Sequence, residues 1–419
     1  MRTILSILFI TACAWTSHAQ TTVTLSYPDY MRKVRENNLA YAAEKLNISI
    51  ASAGVTASKV FNDPNLSLSY FNNENRTLQM GEGVEVELSK TFTFGKRSAN
   101  IALAKSEKEL SEALLADFFH NLRADATISY LEALKQVELY KVKENAYENV
   151  RRLAEADSIR LRLGKIMAID ATQSQVEAGI LHNQLLEAKA NLGNAFTSLN
   201  PIIGYQGLDT LFTPRGNLLL PQPDFILADL INTALTNRAD LMAALKNSEV
   251  AQRALKVARR ERNTDVDLSI AVSHNERVYN EEAPAPPYTG VTAGIAIPLK
   301  FSNFNKGSVT AARLKVQQAE TQYQQAQLEV QTEVMKAFQS YQSLAQQIER
   351  YQSGLLEQAK QVVESKIYSY NRGEVSLLEV LNAQRTYDEV QAQYIETQFN
   401  FSAALVELER CSGIWDIQL

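Results

Sequence analysis

The chain has 419 residues, of which 45% are hydrophobic and 21% are charged, a composition that excludes a disordered or collagen-like protein. Only 16 glycines and 10 prolines are present, so long uninterrupted helices are favoured over a loop-rich β-sandwich. The net charge of −5 argues against a nucleic-acid-binding protein, and two cysteines are too few for a disulfide framework or a Cys-rich zinc site.

Residues 1–19 have the pattern of a secretory signal peptide. Arg2 supplies the positive charge, residues 4–14 form a short apolar segment, and small residues suited to cleavage follow. Residues 10–13 also resemble a lipoprotein box, in which Cys13 would carry the lipid. Both alternatives predict an exported protein.

The rest of the chain contains one structural unit twice. Residues 38–43 resemble residues 240–245, and residues 164–170 resemble residues 373–379. We therefore divide the chain after the signal peptide into a first repeat, a connector richer in proline and glycine, a second repeat and a short tail. Their predicted bounds are 20–199, 200–223, 224–413 and 414–419.

Each repeat is predicted to contain a helix, two strands, a very long helix, a tight turn and another long helix. The first-repeat strands lie near residues 65–71 and 84–94, and the second-repeat strands begin near Val266 and Val291. Apolar and polar residues alternate along these segments, which predicts a sheet with one apolar and one polar face. On the polar face lie Glu85, Glu87, Asp267 and Ser269.

The long helices have the periodicity of a coiled coil. Residues 95–157 contain no proline and no internal glycine, and residues 307–372 contain one internal glycine, Gly354. At about 1.5 Å per residue, each segment would span roughly 90 Å. Apolar residues, many of them alanine or tyrosine, recur at steps of four and three, so the helices are expected to pack side by side as a wall.

The apolar strand face determines the expected assembly. In a soluble helical protein with two small hairpins, this face would have to be covered. In a bilayer, strands must close into a barrel, and bacterial barrels have at least about eight strands. One chain supplies four, so three copies would share twelve strands, with the polar face lining water and the apolar face in contact with lipid.

Three features carry a resemblance to a known family: the duplicated order of elements, the Gly-Lys-Arg opening of a long helix at residues 95–97, and the paired segments 164–175 and 373–384. Through these features the chain resembles the TolC family of outer-membrane efflux channels over almost its whole mature length. The resemblance implies a mainly α protein with a small β part. Long coiled-coil helices would form a periplasmic α-barrel, and four strands per protomer would contribute to a trimeric, twelve-stranded outer-membrane β-barrel.

The resemblance also implies a function and partners. Such a channel passes small molecules or metal ions outward from an inner-membrane resistance-nodulation-division pump and a periplasmic membrane-fusion adaptor. The alternative is the outer-membrane exit duct of a type I protein secretion system. No cofactor or metal is implied. The expected partners are sister copies in a homotrimer, the adaptor, the pump and outer-membrane lipid, with no nucleic acid.

The two turns between long helices are the expected adaptor-docking tips. In the family, the helix–turn–helix around each tip glycine docks onto the adaptor. The glycine also has a local role, because it lets a helix end in a left-handed conformation. The first tip departs from the pattern, since Met167 stands where the second tip has a hydroxyl residue. The corresponding residues here are Arg162, Leu163, Gly164, Arg372, Gly373 and Ser376.

The gate is expected one turn beyond each tip. By resemblance, Asp170 and Glu379 lie at the constriction, and Tyr370 is the expected hydrogen-bond partner of Asp170, which would help to hold the tip closed. Asn382 stands where a second acidic residue is common, so a single ring of three Glu379 carboxylates is expected to attract cations. The alternative is that Glu379 is an ordinary solvated surface charge.

Two other classes of protein fit the sequence less well. An enzyme is not indicated, because the sequence has no phosphate-binding glycine loop, HExxH motif or nucleophile elbow, and its four histidines are scattered. A structural coiled-coil scaffold would not need strands with an apolar face. We therefore expect no catalytic activity.

Overall fold

The computed structural model describes residues 21–73, 79–207, 209–299 and 303–417. The predicted signal peptide and the alternative lipid attachment at Cys13 lie outside these residues. Within them, none of the helices is both long enough and apolar enough to cross a bilayer.

The two halves of the chain contain the same succession of elements, except that the long helix of the second half is divided in two. The first half consists of β1 (Thr21–Ser26), α1 (Tyr27–Asn37), α2 (Leu39–Ser58), β2 (Asn65–Asn72), β3 (Glu82–Phe92), α3 (Lys96–Arg162) and α4 (Ala168–Ile202). The second half consists of β4 (Thr210–Arg215), α5 (Leu227–Asn237), α6 (Ala239–Arg260), β5 (Val266–Asn275), β6 (Tyr288–Ala296), α7 (Lys306–Arg350), α8 (Leu356–Asn371) and α9 (Leu377–Ser412).

The four predicted strands form one antiparallel sheet in the order β2-β3-β5-β6. The central pairing of β3 with β5 joins the two halves of the chain, and β2 and β6 form the edges. The register places Val86 opposite both Leu68 and Val272, with Val291 next in the same row. These side chains are exposed, with 71% of Leu68 and 74% of Val291 accessible to solvent, so the sheet presents an uncovered apolar face.

The long helices follow directly from the scarcity of glycine and proline. Helix α3 is continuous over 67 residues, which corresponds to about 100 Å, and continues beyond its expected end near residue 157. Gly95 immediately precedes it, and its φ of 75° lies in the left-handed region. Helices α2, α3, α6 and α7 are each in contact with the next, so they continue the four strands as a helical layer.

Three features differ from the sequence-based expectation. The segment 307–372 is not one helix, because a five-residue π-turn at Tyr351–Leu355 separates α7 from α8. Each repeat begins with two helices rather than one, and Asn38 ends the first of these and caps the second through its side chain. Finally, the connector contains β4, which pairs in parallel with β1.

The buried side chains form two separate clusters. The main cluster joins α1, the middle of α3 and the last turns of α9, and includes Tyr30, Tyr130 and Leu408, all with no measurable exposure. The Tyr130 hydroxyl donates to the Leu25 carbonyl at 2.8 Å, so this buried polar group is satisfied. A much smaller cluster lies near the tips. Its members are Ala146, Val150, Leu181, Leu377 and Leu381.

Candidate functional site

Two helical hairpins end in adjacent turns. We call α3 with α4 the first hairpin, and α7 and α8 together with α9 the second hairpin. Gly164 and Gly373 end the descending helices with φ values of 69° and 79°. A side chain at either position would meet no neighbouring atom within 4 Å, so the left-handed backbone rather than space calls for glycine there.

The two turns differ in how the ascending helix begins. In the second hairpin, the Ser376 hydroxyl accepts a hydrogen bond from the Glu379 amide, and the Glu379 carboxylate accepts one from the Ser376 amide. This reciprocal capping box satisfies two amides that a helix start leaves unpaired. In the first hairpin, Met167 occupies the same position and provides no side-chain hydrogen bond to the described residues. The predicted departure of the first tip thus has a structural counterpart.

The predicted docking residues lie on the exposed ends of both hairpins. Arg162, Leu163 and Gly164 of the first tip are exposed, as are Arg372, Gly373 and Ser376 of the second. The first tip also presents apolar side chains to solvent, with 64% of Leu163 and 68% of Met167 accessible. Their role in docking stays a prediction.

Glu379 is not an isolated carboxylate. Its second oxygen lies 2.7 Å from the Lys366 ammonium on α8. This ammonium first of all, together with the Ser376 amide, holds the pKa of Glu379 below its usual range. The carboxylate is therefore ionised but partly neutralised within its own protomer. Asn382 lies one turn further along α9 and is exposed.

Within the described protomer, Tyr370 is not hydrogen-bonded to Asp170, the partner expected from the sequence. The Tyr370 hydroxyl donates instead to the Asp157 carboxylate of α3, at 3.0 Å. Asp157 is fully buried and follows Val150 and Ala154 along the buried side of α3, at steps of four and three. Because helical residues at these spacings share a face, Asp157 faces the junction between the hairpins. Asp170 lies on the first turn of α4.

Further polar contacts surround Asp157. Arg160 donates to the Asp157 carboxylate at 3.2 Å and to the Asn371 side-chain carbonyl at 2.5 Å, and its guanidinium lies 5.3 Å from the centre of the Tyr370 ring. Burial first, and then the Asp157 carboxylate, raise the pKa of Tyr370 to about 12, so the phenol stays a donor at neutral pH. The Oδ2 atom of Asp157 is buried without a hydrogen-bond partner among the described residues.

An ion pair also joins the hairpins, further from the tips. Arg385 of α9 donates two hydrogen bonds to the Glu177 carboxylate of α4, at 2.9 and 2.5 Å. Such a bidentate pair is stronger and more directional than a single contact. The sequence analysis did not single out Asp157, Arg160, Glu177 or Arg385. The one signal for Asp157 was an acidic residue at a position where the helical spacing places apolar ones.

The predicted lumen residues share one face of the sheet. Ser269 lies opposite Ser89, and Asp267 lies opposite Thr91, whose hydroxyl donates to the Asp267 carboxylate. Glu85 and Glu87 have the same parity on β3 and therefore project to the same side. Across residues 21–73, 79–207, 209–299 and 303–417, no three histidine, cysteine or acidic side chains are grouped closely enough to hold a metal ion.

Comparisons with known proteins agree with this architecture. The sequence model of the family described as outer membrane efflux protein matches residues 230–413. This match confirms the resemblance inferred from the sequence, and with it the predicted outer-membrane location.

Individual relatives extend the likeness over most of the chain. The cobalt-zinc-cadmium resistance protein CzcC of Cupriavidus metallidurans is 24% identical over 90% of this chain and 86% of its own length. The pyoverdine export outer membrane protein OpmQ of Pseudomonas aeruginosa is 23% identical over 87% of this chain and 76% of its own length.

The solved structure of CusC superposes with a TM-score of 0.75 at 17% identity, covering 92% of this chain and 91% of that one. The predicted fold class is confirmed: long coiled-coil helices with four strands per protomer, in the fold of the channel-forming outer-membrane proteins.

Proposed function

We propose that this protein is the outer-membrane channel of a tripartite efflux system. In this proposal, three copies form a continuous conduit, with a membrane barrel at one end and a helical tunnel in the periplasm. Small molecules or metal ions, delivered by an inner-membrane pump through a periplasmic adaptor, would leave the cell through it.

The observation that carries the proposal is the open four-stranded sheet with an exposed apolar face. Leu68, Val86 and Val291 lie in one row of that face, and all three are exposed. Sheet edges are not tolerated in a bilayer, and four strands are too few for a barrel. Three sheets joined edge to edge, β2 of one copy beside β6 of the next, would give twelve strands and remove every edge.

The helices support a tunnel that continues this barrel. Helix α2 leads into β2, and α3, α6 and α7 connect to the other three strands, while neighbouring helices are in contact along the layer. A threefold assembly would repeat this layer around one axis. The polar sheet face, with Glu85 and Glu87, would then line the aqueous path.

The relatives favour metal ions as the first cargo to test. CzcC is named for resistance to cobalt, zinc and cadmium, and OpmQ is named for the export of pyoverdine, an organic molecule. We propose divalent metal ions as the first candidate and small organic molecules as the second. The exposed tips, where Leu163 and Met167 are uncovered, are the proposed contact with a membrane-fusion adaptor of a resistance-nodulation-division pump.

Two measurements test this function. Light scattering of the detergent-solubilised protein should give a polypeptide mass of three protomers, and a water-soluble monomer would refute the channel. A strain lacking its own outer-membrane channel, supplied with this protein, a membrane-fusion adaptor and a resistance-nodulation-division pump, should tolerate more cobalt, zinc or cadmium. If only tolerance of organic compounds increases, the metal cargo is excluded.

A further inference from the structure

A lysine, Lys90, lies on the apolar face of the sheet. Val86 and Leu88 precede it on β3 at every second position, so Lys90 projects to the same side. Leu268 of β5 lies opposite it, and Ile295 of β6 is next in the same row. In the proposed assembly this face is in contact with lipid, where a charge without a partner is costly.

The ammonium of Lys90 has no acidic partner in the described chain. No carboxylate oxygen of residues 21–73, 79–207, 209–299 and 303–417 lies within 4.0 Å of it. Its Nζ atom lies 5.8 Å from the centre of the Phe92 ring. Phe92 is two residues nearer to α3 on the same face, so the side chain extends towards the end of the sheet that adjoins the helices. A lipid-facing lysine extends in this way to bring its charge to the membrane–water boundary.

A cavity of 650 Å³ opens where the pairing of β2 with β3 ends. Asn65, the first residue of β2, lies opposite Ser89, and from Lys90 onwards β3 pairs in the described chain with β5 alone. The cavity is bounded by the end of α2, this part of β3 and the start of α3. Its described lining combines basic with aromatic side chains and contains no carboxylate. These side chains are Phe61, Lys90, Phe92, Lys96 and Arg97.

The positive charges in this cavity are only partly compensated. Lys96 is paired with Asp265 at 2.5 Å. Arg97 donates from Nε to the Lys59 carbonyl at 2.9 Å, and its guanidinium lies 3.8 Å from the centre of the Phe61 ring. Neither a carbonyl nor a ring neutralises a full charge, and among the described residues no acidic side chain forms an ion pair with Arg97. Two cations beside an apolar face are thus left without a counter-ion from this chain.

Aromatic side chains surround the cavity at the level where the sheet ends. Phe61, Phe92 and Phe94 are all exposed. Outer-membrane barrels have such aromatic girdles at both boundaries between lipid and water. Because the long helices extend from this end of the sheet into the periplasm, the cavity lies at the boundary of the periplasmic leaflet. That leaflet of an outer membrane consists of phospholipids.

The start of α3 adds hydrogen-bond donors to the same cavity. Gly95, which precedes the helix and lines the cavity, provides no side-chain cap, so the first amides of α3 need other acceptors. Amides and the helix dipole at this end of a helix favour phosphate groups. The helix start supports an anion site whose main determinants are the side chains of Lys90 and Arg97.

We propose that this cavity binds the phosphate group of a glycerophospholipid of the periplasmic leaflet. Lys90 and Arg97 contact the phosphate diester, and a guanidinium can donate two parallel hydrogen bonds to its oxygens. The acyl chains follow the apolar face past Leu66 and Leu88, the exposed pair in the next row. Two uncompensated cations favour a lipid with a net negative charge, such as phosphatidylglycerol, over a zwitterionic one. The inference rests on the proposed function, which places this face in lipid.

Native mass spectrometry of the detergent-solubilised protein tests the site. Titration with phosphatidylglycerol should give one tightly retained lipid per protomer, and titration with phosphatidylcholine should give weaker retention. Lys90→Gln should weaken the retention of phosphatidylglycerol about fivefold, because a basic residue near the membrane surface contributes about that much to the binding of anionic lipid. Lys90→Arg keeps the charge and should preserve retention.

Two controls separate this site from general electrostatic attraction and from a site for free anions. Lys189→Gln removes the same charge from an exposed position of α4, a helix that adjoins none of the four strands in the described chain, and should leave lipid retention unchanged. Inorganic phosphate shares the headgroup chemistry but has no acyl chains. It should not displace the bound phosphatidylglycerol.

The opposite results would overturn the inference. Retention that is equal in the unaltered protein and Lys90→Gln, or equally weakened by Lys90→Gln and Lys189→Gln, would exclude a specific lipid site. Displacement by inorganic phosphate would indicate a site for soluble anions instead. Lipid binding is measured without transport, so the two proposals fail differently. A trimer that exports metal ions but retains no lipid refutes the lipid site alone, whereas a water-soluble monomer refutes the channel.

Discussion

The two helical hairpins come from one repeated unit, yet they differ in the packing of their long helices and in the capping of their turns. The first hairpin has an unbroken α3 with regularly spaced buried residues, but its turn begins α4 at Met167 with no side-chain cap from the described residues. The second hairpin has a π-turn and an unburied stretch in its shaft, but its turn is closed by the Ser376–Glu379 capping box. The turn of the second hairpin is thus well capped, whereas the helices that lead to it are loosely packed.

This contrast shows that two copies of one repeated unit can keep the same order of elements and still differ in helix continuity and packing. In the second copy, Gly354 lies in a stretch without buried residues, and the long helix there is divided into α7 and α8. The corresponding helix of the first copy, α3, is continuous. The hydrogen bond from Tyr370 to Asp157 connects α8 to the continuous helix α3.

The largest expected effect separates the two apolar clusters. Leu131→Ala removes a side chain with no exposure from the main cluster, and should lower the free energy of unfolding by about 3 kcal/mol. Leu381→Ala makes the same change in the small tip cluster, and should accelerate amide exchange near the tips with a smaller effect on global unfolding. Chemical denaturation and hydrogen exchange of both variants make the comparison. Equal losses of global stability would show that the clusters unfold as one unit.

An intermediate effect is expected from exchanging the caps. Ser376→Ala should destabilise the start of α9 by about 1 kcal/mol, because two amides lose their partners. Met167→Ser should stabilise the start of α4 by a smaller amount, since it introduces a hydroxyl where the described chain has no side-chain cap. Exchange rates of the first-turn amides in each helix measure both changes. The contrast between the tips is wrong if Met167→Ser has no effect while Ser376→Ala is costly.

The smallest expected effect depends on pH and concerns the loosely packed part of α9. Partial burial of its carboxyl raises the pKa of Asp388 to about 6, although Gln384 donates a hydrogen bond to it at 2.9 Å. Among the nearby charges, Lys143 of α3 lowers this pKa and Glu389 raises it. Because the folded-state pKa lies above the unfolded one, this group stabilises the fold below the unfolded pKa, and the contribution is lost as pH rises through 6.

Asp388→Asn should therefore raise the melting temperature at pH 8 by about 2 °C and change it little at pH 4. Thermal melts of both proteins at the two pH values provide the measurement. A gain of the same size at both pH values would mean that ionisation of Asp388 does not affect stability.

Much of the fold could be predicted because its elements have strong local signals. Alternation around Val86 predicted the sheet faces, and the scarcity of glycine and proline predicted the long helices. The parallel pair of β1 and β4 could not be predicted in this way. Thr21 pairs with Thr210, and a contact between residues so far apart leaves no mark on either short segment.

The candidate site was harder to predict than the fold. Gly354 was visible as an isolated glycine in a long helical pattern, but such a glycine is often tolerated without a break, so the π-turn was missed. The partner of Tyr370 was assigned by family position as Asp170. The structure selects Asp157 because side-chain direction on α3, which a single sequence position does not reveal, brings its carboxylate to the phenol.

The pairing of β3 with β5 constrains how the protein is made. Thr91 and Asp267 meet across the centre of the sheet although 176 residues separate them in the chain. During export, β2 and β3 therefore emerge long before β5, the partner of β3. Until then they present an unpaired strand edge and an exposed apolar face, a combination prone to aggregation. The sheet can therefore be completed only after the carboxy-terminal strands β5 and β6 have been made.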